Sequence, residues 1–347
     1  MQKTLIRKVH PEKPERRLIS EAAQIIRRGG LVAFPTETVY GLGADALNEE
    51  AVRRVFEAKE RPLSDPLIVH VPNLAMISYV AAYVPDAVYR LARRFWPGPL
   101  TVVLPRLHLL SPLVTGGADT VAIRIPAHPV ALALLRAADR PLVAPSANLF
   151  GHTSPTTAEH VRADLDGRID MILDAGPTPL GVESTVLDLT RQPPVVLRPG
   201  GITPEALQEV LGPVLIRDHT PPEGPLRSPG LLERHYAPHK PLELIIGPPE
   251  SVRAHLREQM RSSPFRLGLL IAEEDLAHLA DPGPHLLEVV GSLKDLAGVA
   301  RNLYAALRRL DQSPAERLLA RDFGGHGLGL AIRDRLRRAA DRVLELG

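Results

Sequence analysis

Two polar segments near the start of the chain carry residue types suited to an anionic ligand. In PTETVYGLG (35–43), Thr36, Glu37, Thr38 and Tyr40 lie between Pro35 and the glycines Gly41 and Gly43. Read as a loop leaving a buried strand, this stretch lets backbone N–H groups and hydroxyls converge on a polar ligand. An ordinary strand-exit turn reads the same way. AKERPLSDPLIVH (58–70) holds Lys59, the only lysine between Lys13 and Lys240 in a chain with 36 arginines and 6 lysines. A compact ammonium beside the guanidinium fork of Arg61 suits a polyphosphate; the alternative is a solvated basic helix end. Both residues are expected in a polar, proline-stiffened loop, where alanine would leave the fold intact.

Three further stretches put polar groups at strand ends. TVAIRIPAHP (120–129) embeds Arg124 in an apolar strand, where a charge needs a partner. APSANLFGHTSPTT (144–157) gathers Ser146, Asn148, Thr153, Ser154, Thr156 and Thr157 before a helix, whose N-terminus favours anions; N-capping accounts for one of the six. ESTVLDL (183–189) and LRPGGIT (197–203) add Glu183, Ser184, Thr185 and Arg198. Together these fit a pocket for an anionic small molecule. The sequence has no GxxxxGK[ST], GxSxG or HExxH. GGHGLGLAI (324–332) lacks GxGxxG spacing and reads as a tight turn before the last helix, and Pro238 between His235 and His239 argues against a helical metal pair.

Positioning these residues takes two α/β domains. Helices are expected over 18–28, 48–60, 85–95, 128–137, 156–165 and 204–211. Strands are expected over 31–34, 67–71, 100–104, 121–125, 142–144, 171–173, 186–189 and 195–197, giving a large twisted mixed sheet over residues 1–211. Residues 212–241, with seven prolines and three glycines, read as a stiff extended linker. Beyond it, over 242–347, strands at 242–246, 267–271, 286–290 and 316–320 alternate with helices at 249–260, 273–280, 293–310 and 328–345, the pattern of a small doubly wound parallel sheet.

Composition narrows the chemistry. The 347 residues contain no cysteine, which removes disulfides, thiolate nucleophiles and Cys-ligated metal. No apolar run approaches the roughly 18 residues of a membrane span, and the charged N-terminus lacks a signal-peptide core, so a cytoplasmic location is expected. A net charge of +2 is compatible with anionic ligands, and 4% aromatics disfavours base-stacking platforms.

With PTETVYGLG, KERPLSDPL, WPGPLT (96–101), RIPAHP, APSANLFG, ESTVLDL and LRPGGIT in this order, residues 15–211 closely resemble the threonylcarbamoyl-adenylate synthases, the YrdC-like family. SPGLLERHYAPHKPL and the module after it resemble the long, two-domain form. The resemblance implies a YrdC-like domain with a deep anion-binding cavity and a Rossmann-like C-terminal domain. It implies that L-threonine, bicarbonate and ATP give threonylcarbamoyl-AMP and pyrophosphate, the first step of threonylcarbamoyladenosine modification beside the tRNA anticodon. A separate transferase complex acting on tRNA would be the downstream partner, with at most a weak RNA contact here. Thr36, His70, Arg124, Ala144 and Ser184 correspond to positions that surround threonine. Lys59, Leu63, Thr120, Ser146, Ser154, Arg198 and Tyr236 correspond to those that surround ATP, with Lys59 and Arg61 as the catalytic cations. Mg2+ is expected on the ATP phosphates. Two other classes stay open: an RNA-binding module without activity, and a carbamoyltransferase of hydrogenase maturation, which would need upstream Cys-rich motifs that this chain lacks. The HYAP segment is expected to close over the cavity as a lid, with Tyr236 near the nucleotide.

Overall fold

Caps and apolar spacing set the helices that frame the sheet. Asn48 accepts from the Ala51 N–H and starts helix Glu49–Lys59, and Glu60, left-handed at φ 53°, ends it. Thr157 caps Ala158–Leu165 and Thr203 caps Pro204–Leu211 in the same manner. The computed structural model describes residues 3–217, 226–230, 235–279 and 281–347. The chain divides into two units, Met1–Phe150 with Ser154–Leu232, and Gly151–Thr153 with Glu233–Gly347.

In the larger unit the described strands are β1 (Leu5–Lys8), β2 (Val32–Pro35), β3 (Tyr40–Asp45), β4 (Ile68–His70), β5 (Leu100–Pro105), β6 (Thr120–Arg124), β7 (Leu142–Val143), β8 (Met171–Asp174), β9 (Thr185–Asp188), β10 (Val195–Arg198) and β11 (Leu215–Ile216). They form one mixed sheet in the order β1-β8-β2-β3-β7-β4-β6-β5-β9-β10-β11. Along β2, Val32 and Phe34 join the core under helices Arg16–Arg27 and Pro129–Ala138, while Ala33 joins the core on the other face. The expected loop 35–43 is corrected: Tyr40–Asp45 is a wholly buried strand, antiparallel to both β2 and β7. Its glycines serve close packing rather than a turn. A Cβ at Gly43 would lie 2.7 Å from the Phe34 ring, and one at Gly41 would lie 3.3 Å from the Ala144 Cβ. The sheet extends into the proline-rich segment, where β11 pairs parallel with β10. Part of the lid expected over 212–241 falls on 218–225 and 231–234, outside the described residues.

The smaller unit is a parallel sheet of β12 (Leu242–Ile246), β13 (Leu267–Ile271), β14 (Leu286–Val289), β15 (Arg317–Arg321) and β16 (Arg342–Glu345), ordered β14-β13-β15-β12-β16. Helices Pro249–Ser262, Leu296–Gln312 and Gly327–Ala339 connect them. Two expectations change here. The last helix stops at Ala339, and 342–345 pairs with β12, because pairing at an open sheet edge overrides the helix propensity of Arg342, Leu344 and Glu345. The helix expected over 273–280 is the 3-10 turn Glu273–His278. Asp275 in that turn is wholly buried and bonds the Ala272 N–H and Arg321.

Candidate functional site

The turn between β2 and β3 is built on the Thr36 hydroxyl. It accepts from the Thr38 and Val39 N–H groups at 3.1 and 3.2 Å and reaches the Val39 carbonyl at 2.6 Å. Thr36 and Thr38 are buried and 2.8 Å apart through their hydroxyls. The turn projects Thr38 and Glu37 onto Arg124, the last residue of β6.

Arg124 is 3% exposed and is held by a set of acceptors that no single motif contains. Its Nε donates to the Gly98 carbonyl at 3.3 Å and its Nη1 to the Thr38 hydroxyl at 3.0 Å. Its Nη2 lies 2.6 Å from Glu37 Oε1, and Glu37 Oε2 accepts from the Ala127 N–H at 3.0 Å. The partner required for this buried charge is therefore Glu37. His70 and Thr101 are the cross-strand neighbours of Arg124 on β4 and β5. Burial, and then the charge of Arg124, push the His70 imidazole down to about 3, so it is neutral near pH 7. Its Nδ1 is buried with no hydrogen-bond partner among the described residues.

The next layer runs through Ser184. Its hydroxyl meets that of Thr101 at 2.7 Å, and its carbonyl accepts from Nε and Nη2 of Arg198 at 3.2 and 3.1 Å. Ser154 bonds the Glu183 carboxylate at 2.5 Å. Ala144 follows β7, with its N–H on the Ile68 carbonyl at 3.0 Å. Thr36, His70, Arg124 and Ser184 thus form one band of contacts, joined to Arg198 and with Ala144 beside β4.

Lys59 and Arg61 are buried rather than set in a solvated loop, which corrects that expectation. Lys59 is the last residue of its helix and 1% exposed, and its Nζ donates to the Ser146 and Asn148 carbonyls at 2.5 and 2.6 Å. Burial, and then Arg61, hold its pKa well below the ordinary lysine value. Arg61, 7% exposed, pairs with Asp65 at 2.8 Å and donates to the Asp65 and Pro66 carbonyls. Burial raises the Asp65 pKa, with Arg61 opposing. The pair lies past the helix end, in the turn over 61–65, so helical i,i+4 spacing does not announce it. Gly98, Asp65 and Thr101 are further residues whose places in the site emerge only from contacts.

The remaining positions are spread out. Ser146 is half-buried and bridges Gly41. Leu63 is exposed. Thr120 opens β6 at the end opposite Arg124, about 13 Å away at the rise of a strand. Its hydroxyl is buried without a partner among the described residues. Tyr236 belongs to the smaller unit, where it has φ 64° and is 1% exposed. Its ring lies 5.9 Å from that of Tyr304, with the Arg335 guanidinium 5.3 Å from its centre. No group of three or more His, Asp or Glu side chains able to hold a metal occurs among the described residues. The carboxylates in this region, Glu37, Asp65 and Glu183, are engaged by Arg124, Arg61 and Ser154 respectively.

Comparison with known proteins adds the context for this geometry. Residues 24–200 match the Sua5/YciO/YrdC family model, described as telomere recombination, and residues 202–341 match the threonylcarbamoyl-AMP synthase C-terminal domain. The threonylcarbamoyl-AMP synthase of Pyrococcus abyssi is 44% identical over 337 residues, covering 95% of this chain and 96% of that protein. The Bacillus subtilis protein of the same name is 46% identical over 328 residues, covering 93% and 92%. The crystal structure of P. abyssi Sua5 complexed with L-threonine superposes with a TM-score of 0.92 at 42% identity, covering 99% of this chain and 100% of that one. No helix among the described residues is long and apolar enough to cross a membrane. With both family models placed in order and near end-to-end similarity to relatives of one name, the chain belongs to the threonylcarbamoyl-AMP synthase family, in its two-domain form.

Proposed function

We propose that the protein condenses L-threonine, bicarbonate and ATP into threonylcarbamoyl-AMP, releasing pyrophosphate. The observation that carries this reading is the band around Arg124: a buried guanidinium for a carboxylate, with a neutral imidazole and three hydroxyls (Thr36, Thr38, Ser184) close by. In this reading the α-ammonium of threonine first gives up a proton, which converts bicarbonate to CO2 and water. The neutral amine adds to the CO2, and the remaining proton passes to water as the carbamate forms. A carbamate oxygen then bonds the α-phosphorus as the bond to pyrophosphate breaks. Such a step depends on positioning and charge neutralisation rather than on a covalent nucleophile.

Thr36, His70, Arg124, Ala144 and Ser184 would surround threonine, and Lys59, Leu63, Thr120, Ser146, Ser154, Arg198 and Tyr236 would surround ATP. Lys59 and Arg61 are the catalytic cations of this proposal. Mg2+ would enter on the phosphates of ATP and offset their charge. Residues 1–211 would form the catalytic domain, 212–241 the lid and 242–347 the C-terminal domain. The product, a labile mixed anhydride, would pass in the cytoplasm to a transferase complex acting on tRNA. The test is pyrophosphate release with each substrate omitted in turn. Release should require threonine and bicarbonate together, and release that ignores threonine would overturn the reading.

A further inference from the structure

The pairing of Glu37 with Arg124 has a consequence for which amino-acid group the site accepts. Arg124 is almost wholly enclosed, with 4% of its side chain exposed, whereas the Glu37 side chain keeps 13%. The carboxylate is therefore the accessible end of the pair. Although Arg124 Nη2 and Glu37 Oε1 are 2.6 Å apart, neither atom makes an aligned hydrogen bond. Charge is balanced, but donor and acceptor capacity remain. The other Glu37 oxygen is fixed by the Ala127 N–H, and Arg124 is fixed by Gly98 and Thr38, so neither group needs the other to stay in place.

An α-amino acid is a zwitterion. Inserted here, its carboxylate takes the guanidinium and its ammonium takes the carboxylate, so one ion pair becomes two with no change in net charge. A carboxylate lacking the ammonium would meet Arg124 but leave the half-buried Glu37 without its cation and beside a second negative charge, which is costly. We propose that Glu37 is the acceptor for the α-ammonium group of the bound amino acid, and that it selects amino acids over other carboxylates by repelling those without one. The inference rests on the proposed function. It extends to the product of the first step: once the nitrogen carries a carbamate, its charge has turned from positive to negative. Glu37 then repels the group it first held, biasing the carbamate away from the Arg124–Glu37 pair.

The experiment compares wild type, Glu37→Gln and Glu37→Asp in pyrophosphate release. It measures KM for threonine, KM for ATP, and competitive inhibition by 3-hydroxybutanoate, which is threonine without its amine. Glu37→Gln should raise KM for threonine about tenfold or more, the loss expected of a charge-assisted bond, with KM for ATP little changed. It should also tighten 3-hydroxybutanoate, so that the preference for threonine collapses, and Glu37→Asp should restore most of that preference. If threonine and 3-hydroxybutanoate weaken in parallel, Glu37 only supports Arg124 and the proposal fails. Should Glu37→Gln not fold, Glu37→Ala takes its place, and a preference for threonine over 3-hydroxybutanoate identical to wild type in that variant would overturn the proposal equally. A wild type that releases pyrophosphate without threonine would instead sink the functional reading.

Discussion

Lys59, proposed as a catalytic cation, is already engaged in holding the fold. Its ammonium ties two carbonyls of the 144–150 stretch, so Lys59→Ala strands both buried acceptors and should cost roughly 1–3 kcal/mol of stability. If it also faces phosphate, pyrophosphate release should fall at least about tenfold in both Lys59→Ala and Arg61→Ala, as for lost transition-state donors. Rates measured below the melting temperature separate the two effects, and near-wild-type rates in folded variants would remove both residues from the catalytic role. His70 gives a prediction about pH. Its folded value near 3 lies below the ordinary 6.5, so the unfolded chain binds the proton first as pH falls. Stability should therefore decline from about pH 6.5 down to about pH 3, with a slope approaching 1.4 kcal/mol per pH unit from this residue. Urea unfolding of wild type against His70→Asn checks this; the variant should decline less steeply, and parallel curves would mean that His70 is not held neutral.

At the scale of elements, the site depends on glycines that let backbone approach backbone. Gly200, just after β10, has no room for a methyl group: a Cβ there would lie 2.3 Å from the Thr185 nitrogen and 2.4 Å from the Glu183 carbonyl oxygen. These neighbours are main chain flanking Ser184 and cannot rotate away. Gly200→Ala should therefore push the ESTV segment off Arg198, destabilising by about 1–3 kcal/mol or more and raising KM for both ATP and threonine. Gly176→Ala is the control. It has open space but also φ 82°, so it should cost stability through backbone conformation alone and leave KM unchanged. Equal KM in wild type and Gly200→Ala would show that the segment tolerates the shift.

For the whole molecule, each unit has its own sheet and apolar core, so a chain truncated after residue 211, which loses Val214 and the edge strand β11, should still keep a folded first unit. If residues 212–241 are the lid proposed above, the truncated chain should release pyrophosphate poorly or lose its intermediate to water, because the segment that excludes water would be gone. Tyr236→Ala should do the same more mildly. The measurement is threonylcarbamoyl-AMP formed per pyrophosphate released. An unchanged yield in the truncated protein would reduce residues 212–241 to a tether.

Much of this was legible in the chain because local rules decide it. Asn48, Thr157 and Thr203 announce their helices through caps, and the alternating pattern after residue 242 announces a parallel sheet. The ordered motifs identified the family, which the comparisons bear out. What the chain did not disclose depends on partners far away in sequence. YGLG became a buried strand because Phe34 and Ala144 close on its glycines, and 342–345 became a strand because β12 left an edge open. The turn residues Glu37 and Thr38 acquired their roles only when β6 delivered Arg124, 86 positions beyond Thr38, into the same volume. Spacing in sequence fixes periodicity and caps. A buried charge is satisfied by whatever the folded sheet places within about 3 Å of it, and that is decided by strand order.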